Sequence, residues 1–384
     1  MIDIEILNKL NAPTREERIA NLREILLSAE FPPMVPQYIN NHIHTTYSFS
    51  PYSPTAAVYA ARMEGLCTAG IIDHDSISGA EEFLEAAKLI DIPVTIGMEC
   101  RVSMNGTCLE GRRTNNPDQV GVSYMTIQSV PHSQIPVLTE FFRPYQTARH
   151  TRNRQMVAKI NALLPELDLD YDHDVLPLSM AADNGGVTER HLMYALAIKL
   201  TNKVGKGEAM VKKLESMGLS LSQKQKDQML DEAYPFYEYD LLGILKSAFV
   251  PKIFIDATDE CPKLKDMVRL CKEIDAYLCY AYLGDVGDSV TGDKKAQKFE
   301  DDYLDDVFEC LKEEGVQAVT YMPTRNTPAQ LERLRNLCDQ YGMFQISGED
   351  INSPRQSFVI KAMENPLFAN LIEATWKLIE HETN

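Results

Sequence analysis

Residues 38–53 read YINNHIHTTYSFSPYS, a short apolar run that ends in two histidines one residue apart, His42 and His44. In a strand, residues i and i+2 point to the same side. Both imidazoles therefore reach one point in space. Three further β-like runs end in ligand-type residues: CTAGIIDHD in Asp73, His74 and Asp75, IPVTIGMEC in Glu99, and MFQISGED in Asp350. Donors at the carboxyl ends of several strands are what a metal site on a barrel needs. Imidazole nitrogens mixed with carboxylate oxygens suit zinc, manganese or iron and argue against calcium. An isolated His-x-His pair reads as structural. Joined to Asp-His-Asp, a strand-terminal Glu and a strand-terminal Asp, it reads as shared metal geometry, with at least one divalent ion.

The elements around these runs alternate. Helices are predicted over 13–30, with Thr14 as cap and Glu17 three residues on, over 54–66 from Pro54, and over 78–90 with Ser78 as cap. The strands at 38–44, 67–73 and 92–98 interleave with them. This β-α-β-α-β order argues for a parallel sheet covered by helices. Residues 101–119 read as a loop and 120–130 as a strand. From about 140 to 248 the pattern is mostly helical. The αβ rhythm resumes with strands at 278–284, 316–322 and 343–347. Helices lie between them at 299–315, closed by Gly315, and at 328–342. About seven strands suggest a distorted (β/α)7 TIM-like barrel of the α/β class, with an open sheet as the alternative. The expected parts are an N-terminal helical extension (1–37), a barrel (38–139 and 249–384) and a helical insertion over the active-site face (140–248).

The chain has 384 residues, 44% hydrophobic, with a net charge of -18. That charge opposes a nucleic-acid polymer or an acidic membrane, but allows a local basic pocket for a small anion. The eight cysteines form no CxxC pair, so free buried thiols in a reducing compartment are expected. No signal pattern or long apolar stretch is seen, and a soluble cytoplasmic protein is the expectation. Oligomeric state is not legible.

With these motifs in hand, the sequence resembles the polymerase-and-histidinol-phosphatase (PHP) family of metal-dependent phosphoesterases, over roughly 38–130 and 275–352. NHIHTTYSFS matches its His-x-His element followed by Ser-Asp-Gly, DHDS its Asp-His element, GMEC its strand-terminal Glu, and SGEDIN its closing Gly-Gly-Ser-Asp-Phe-His element. The resemblance implies a distorted barrel with two or three metals at the strand ends. It assigns the first ion to His42, His44, Glu99 and Asp350, all present. The second ion's two added histidines fall at Ser123–Tyr124 and at Tyr282. His132, Asp285 and Asp288 are possible replacements there. The third ion's ligands fall at His74, Phe49 and Asn352. Phenylalanine cannot ligate, tyrosine ligates only as phenolate, and Asn352 offers a neutral oxygen. Asp73 and Asp75 are candidates to orient imidazoles. TERHLMYAL matches the family's Arg-Pro-His-hydrophobic helix start, which brings His191 toward the cleft.

On the substrate side, Arg325 and Arg355 follow strand ends, and arginine's planar fork matches a phosphate. Arg143, Arg149, Arg152 and Arg154 open the insertion, either lining a channel or forming a solvated face. His173 reads as a loop histidine and Gly185–Gly186 as a turn. Tyr47, Phe49 and Tyr52 either stack on a ring or pack under the insertion. The leading expectation is metal-dependent hydrolysis of a phosphate monoester or diester in a small metabolite or nucleotide. His74 would protonate the leaving oxygen, and Arg325 or Arg355 would hold the phosphoryl group. The alternative is a catalytically degenerate relative that binds a metal, an anionic metabolite or both without turnover. Amide hydrolysis on the same barrel is a third reading.

Overall fold

The computed structural model describes residues 2–286 and 297–383. Asp3 caps α1 (Ile4–Leu10), and Thr14 and Glu17 close a reciprocal capping box on α2 (Arg15–Leu26). The barrel begins with β1 (Val35–Ile43), α3 (Pro54–Met63), β2 (Leu66–His74), α4 (Ala80–Ile90), β3 (Val94–Ser103) and β4 (Val122–Gln128). Pro54 opens α3 as its first helical residue, but the Ser78 expectation fails: Gly79 precedes α4 and no side chain caps it. The helical layer comprises α5 (Ile135–Leu163), α6 (Glu189–Val204), α7 (Glu208–Ser216), α8 (Gln223–Leu230) and α9 (Tyr237–Ile253). The barrel then continues through α10 (Leu264–Glu273), β5 (Tyr277–Ala281), α11 (Leu304–Glu314), β6 (Ala318–Tyr321), α12 (Pro328–Tyr341), β7 (Phe344–Ser347) and α13 (Ala369–Thr383).

The seven strands form one sheet in sequence order. All neighbours are parallel except β4, which runs antiparallel to both β3 and β5. The sheet closes past β7. Ile351 bridges Ile43 in parallel, with His44 N–H donating to the Ile351 carbonyl (2.9 Å) and Ile351 N–H to the His42 carbonyl (3.1 Å). This is the distorted, nearly closed TIM-like barrel with a large helical addition, and the open sheet is set aside.

Outward residues of the strands join the helices in one large apolar core, while α5–α9 build a second around Met156, Leu192, Leu196 and Leu241. Inside the barrel, Cys279, Ala318, Ile346 and Leu378 pack together. Leu378 comes from α13, which closes the end opposite the strand C-termini. Asn41 donates to Thr375 there, and Ile96 N–H donates to Glu382. Cys108 and Cys310 form a disulfide, against the expectation of free thiols throughout; the other six cysteines are free and buried. A separation of 202 residues leaves no local spacing to read. Among the described residues no helix is long and apolar enough to cross a membrane.

The chain leaving β5 is tied down by a buried carboxylate. Glu300 accepts from the N–H groups of Leu283 (3.0 Å) and Gly284 (3.4 Å), while its Oε2 has no partner. Burial pushes this carboxyl up to about 7. Between the ordinary value near 4.5 and 7, the unfolded chain ionises and the folded chain does not. Glu300 therefore removes stability as pH rises through that window, on the order of 3 kcal/mol. Glu300→Gln keeps an acceptor for both N–H groups. Urea unfolding at pH 5 and pH 8 is expected to show the variant gaining on the wild type at the higher pH; a constant difference would refute the assignment.

Candidate metal centre

Strand periodicity and register bring the motif residues to one mouth. In the β2–β3 ladder His74 pairs with Glu99, and the bridge of Ile351 to Ile43 sets Asp350 beside His42 and His44. His42 Nε2 and His44 Nε2 lie 3.8 and 3.9 Å from Glu99 Oε2. His44 Nε2 is 3.1 Å from Asp350 Oδ1, and His74 Nδ1 is 3.0 Å from Glu99 Oε2. The rings of His44 and His74 stack at 4.6 Å. Donor atoms within 4.8 Å of one another form two triads, His42/His44/Asp350 and His44/His74/Glu99, that share His44.

The tautomer of His44 follows from its neighbours. Ser48 Oγ donates its one proton to Asp73 Oδ1 (2.6 Å), so it accepts from His44 Nδ1 (3.2 Å). The lone pair of His44 is then on Nε2, facing the carboxylates. Asp73 also accepts from Thr45 N–H and Oγ–H, each at 2.6 Å, and so fixes the turn after β1. Nε2 of both His42 and His44 is buried with no hydrogen-bond partner. Two orphaned imidazole nitrogens facing two carboxylates fit a divalent cation of the zinc, manganese or iron class.

The electrostatics agree with that fit. Burial alone would raise Glu99 and Asp350, but His74 chiefly holds Glu99 below the ordinary carboxylate range and His44 holds Asp350 well below it. Both are anions. Burial lowers His74 to about 3, against the pull of Glu99, whose Oε2 lies 3.0 Å from its Nδ1. Burial also works to lower His44, yet Asp350 and Glu99 carry it upward. A proton on His44 and a metal ion would thus answer the same surplus of negative charge.

Other expected residues lie elsewhere or face differently. Asn352 turns its amide nitrogen to Asp350 Oδ1 (2.5 Å), because its oxygen accepts from Arg190 Nη1 (2.8 Å). It therefore offers the mouth no oxygen. Phe49 packs against His191, Tyr194 and Tyr239 in the core of the helical layer. Tyr47 and Tyr52 are buried too, so all three aromatics pack. Tyr282 donates to Asp301 Oδ1 (2.7 Å), and burial raises its hydroxyl far above the range where phenolate forms. Tyr124 stands 6.0 Å from the His74 ring, likewise raised by burial, and Ser123 pairs with Thr114 (2.6 Å).

His132 meets Glu382 (3.7 Å), a residue of the α13 plug at the opposite end of the barrel. Asp285 pairs with Lys298 (3.3 Å) and accepts from Phe299 N–H, while Asp288 lies outside the described residues. His191 caps α6, its Nδ1 accepting from Thr188 N–H (3.0 Å). His173 is exposed and paired with Asp170. Arg355 is not free for a ligand: it forms a two-pronged pair with Asp240 and lies over Tyr234. Arg325 donates from Nε to the Leu283 carbonyl (3.0 Å), leaving Nη2 sealed and unpartnered.

Beside the centre is a buried charge network that the sequence did not announce. Arg101 follows Glu99 by two residues on the same face of β3. It pairs with Glu189 (3.2 Å) and Glu260 (2.7 Å). Arg149 pairs with Asp75 and Glu189, and Arg152 with Glu189 and Glu260, both at 2.6 Å. Asp75 thus holds the insertion rather than an imidazole. Arg143 and Arg154 form exposed pairs with Glu140 and Asp172. The two-residue spacing of Glu99 and Arg101 was the one signal available. Gly186 lies along this seam, its N–H donating to the Tyr47 carbonyl (2.7 Å), and a Cβ there would strike the His74 carbonyl.

Residues 40–192 match the model of the PHP domain. A segment of 96 residues is 33% identical to error-prone DNA polymerases of Mycobacterium tuberculosis and Mycobacterium bovis; it covers 24% of this chain and 8% of each polymerase. Among solved structures, a protein classed as a metal-dependent phosphoesterase from Bifidobacterium adolescentis matches with a TM-score of 0.54 at 18% identity, over 89% of this chain and 98% of its own. An amidohydrolase from Chromobacterium violaceum, solved with sulfate and no metal, matches with a TM-score of 0.53 at 15% identity, over 88% and 96%. At these identities the likeness is one of fold.

Proposed function

We propose that the PHP domain carried by this chain holds one divalent metal ion on His42, His44, Glu99 and Asp350 and binds a phosphorylated or otherwise anionic small molecule there, without turnover. The observation that carries this is the pair of buried, unpartnered Nε2 atoms of His42 and His44, each within 3.9 Å of Glu99. A bound ion would supply the positive charge that polarises an oxyanion. Positions at which the family resemblance expects further ligands carry groups unsuited to them: Phe49 is packed away, Tyr282 is bonded to Asp301, and Asn352 presents N–H. A small anion is favoured over a nucleic-acid polymer because the chain's charge is -18. The match to the polymerases, spanning 8% of them, does not bring their activity with it.

Hydrolysis of a phosphate monoester or diester is the second reading. It is supported by His74 and Glu99, which add donors beside the His42/His44/Asp350 triad; the single lone pair of His44 serves one ion only. In that reading His74, whose proton affinity burial lowers, stands beside Glu99 rather than serving as an acid, and Arg325 contacts the phosphoryl oxygens. Elemental analysis of protein purified without chelator or metal-affinity tag separates the two. One equivalent, with no turnover of a panel of phosphate esters, is the expected result. Two or more equivalents with turnover would establish hydrolysis instead. No metal, and no uptake of added manganese, iron or zinc, would end both readings.

A further inference from the structure

Most arginines buried between the barrel and its helices meet a carboxylate: Arg18 meets Glu82 (2.5 Å), Arg101 meets Glu260 (2.7 Å), Arg149 meets Glu189 (3.0 Å) and Arg152 meets Glu260 (2.6 Å). Arg190, in the first turn of α6, does not. Its Nη1 donates to Asn352 Oδ1 (2.8 Å) and its Nη2 to the Asn352 carbonyl (3.2 Å), both neutral acceptors. Its Nε is sealed from solvent with no partner. The guanidinium lies over the Phe49 ring, 5.1 Å from the centroid. Burial lowers its affinity for the proton, and Asp350 is the main charge opposing that.

Arg325 is the barrel's counterpart. It too has no carboxylate partner and an unpartnered, sealed Nη2, and Asp350 is among the anions whose field it feels. The charge count then decides what is missing. A divalent ion on Glu99 and Asp350, with two neutral imidazoles, is electrically balanced. Once Asp350 serves that ion, Arg190 is left as an uncompensated cation at the mouth, while Arg325 keeps the fields of Glu300 and Glu349. A desolvated guanidinium with free donors calls for an anion. A dianion such as a phosphoryl group matches two guanidiniums better than a carboxylate does.

We propose that Arg190, propped by Asn352 and stacked on Phe49, is the oxyanion-binding residue of the mouth and takes a phosphoryl group beside the metal position. The site thus carries a fixed cation of its own on α6, and Arg325 of the barrel feels the same Asp350. The idea rests on the metal-and-anion reading above, but its test separates from it.

Inorganic phosphate and acetate are titrated calorimetrically into wild type, Arg190→Met and Asn352→Ala, each with and without added zinc or manganese. Losing a charge-assisted contact should weaken phosphate by about tenfold or more in Arg190→Met. Asn352→Ala, which removes the side-chain prop of Arg190 together with the amide donor to Asp350, should weaken it several-fold. Bound metal per chain, by elemental analysis, should not change in Arg190→Met. Acetate should bind wild type more weakly than phosphate. Phosphate affinity unchanged in folded Arg190→Met, or no phosphate binding by wild type, overturns the proposal. If Arg190→Met does not fold, unchanged affinity in Asn352→Ala overturns it. A wild type that takes up no metal yet loses phosphate binding on Arg190→Met defeats the metal reading and leaves Arg190 standing.

Discussion

His44→Ala is expected to lower affinity for zinc or manganese by at least about 100-fold, the largest loss of any single substitution at the mouth. His44 is the residue common to both donor triads. It is also the one whose tautomer the protein fixes, through Ser48 and Asp73. Removing it deletes a ligand and strands that relay. Ser48→Ala removes only the relay and should cost about 10-fold to 100-fold, by loosening the ring and its tautomer. His74→Ala should cost least, because His74 reaches the centre through Glu99. Competition against a chromophoric chelator orders the three. Wild-type uptake in His44→Ala would mean that the ion sits somewhere other than the barrel mouth.

How much of this was legible depends on how far each signal travels along the chain. His42 and His44 are two residues apart in one strand, and Glu99 and Asp350 close β-like runs; period and polarity suffice to read them. The helix limit set by Thr14 with Glu17 is equally local, and it is a capping box in the structure. The reversal of β4 has no local signature, since alternation looks the same in either direction. The failures are of another kind. Arg355 looked available because nothing near it in sequence is its partner; Asp240, 115 residues away, is. Asn352 looked like an oxygen donor until Arg190 took that oxygen. Cys108 found Cys310 across 202 residues. Ligand types are written in short motifs, but the orientation of each donor is set by long-range partners.

The Arg101–Arg149–Arg152 network yields the strongest stability prediction. Three buried guanidiniums face three carboxylates, Asp75, Glu189 and Glu260, so the group is neutral as a whole. Glu189 is its centre, meeting all three arginines at 2.6 to 3.2 Å. Burial alone would raise its carboxyl, but the arginines, Arg101 foremost, hold it well below the ordinary range. Glu189→Gln preserves shape and leaves one buried positive charge uncompensated. Breaking such a set on one side costs about 3–5 kcal/mol, read as a lower urea midpoint at unchanged slope. The exposed pair Arg154–Asp172 is the control, and Asp172→Asn should cost less than about 1 kcal/mol. Because the folded carboxyl of Glu189 is depressed, its contribution is present above the unfolded value near 4.5. It fades as pH falls through the lower folded value. The deficit of Glu189→Gln should therefore be full at pH 7 and shrink in acid. A loss under 1 kcal/mol at pH 7 would mean that water screens the network and that apolar packing alone holds the helical layer down. A full loss would tie that layer to the metal centre, since Asp75 adjoins His74 and Arg101 shares a strand face with Glu99: the contacts that seat the helical layer lie one and two residues from the donors.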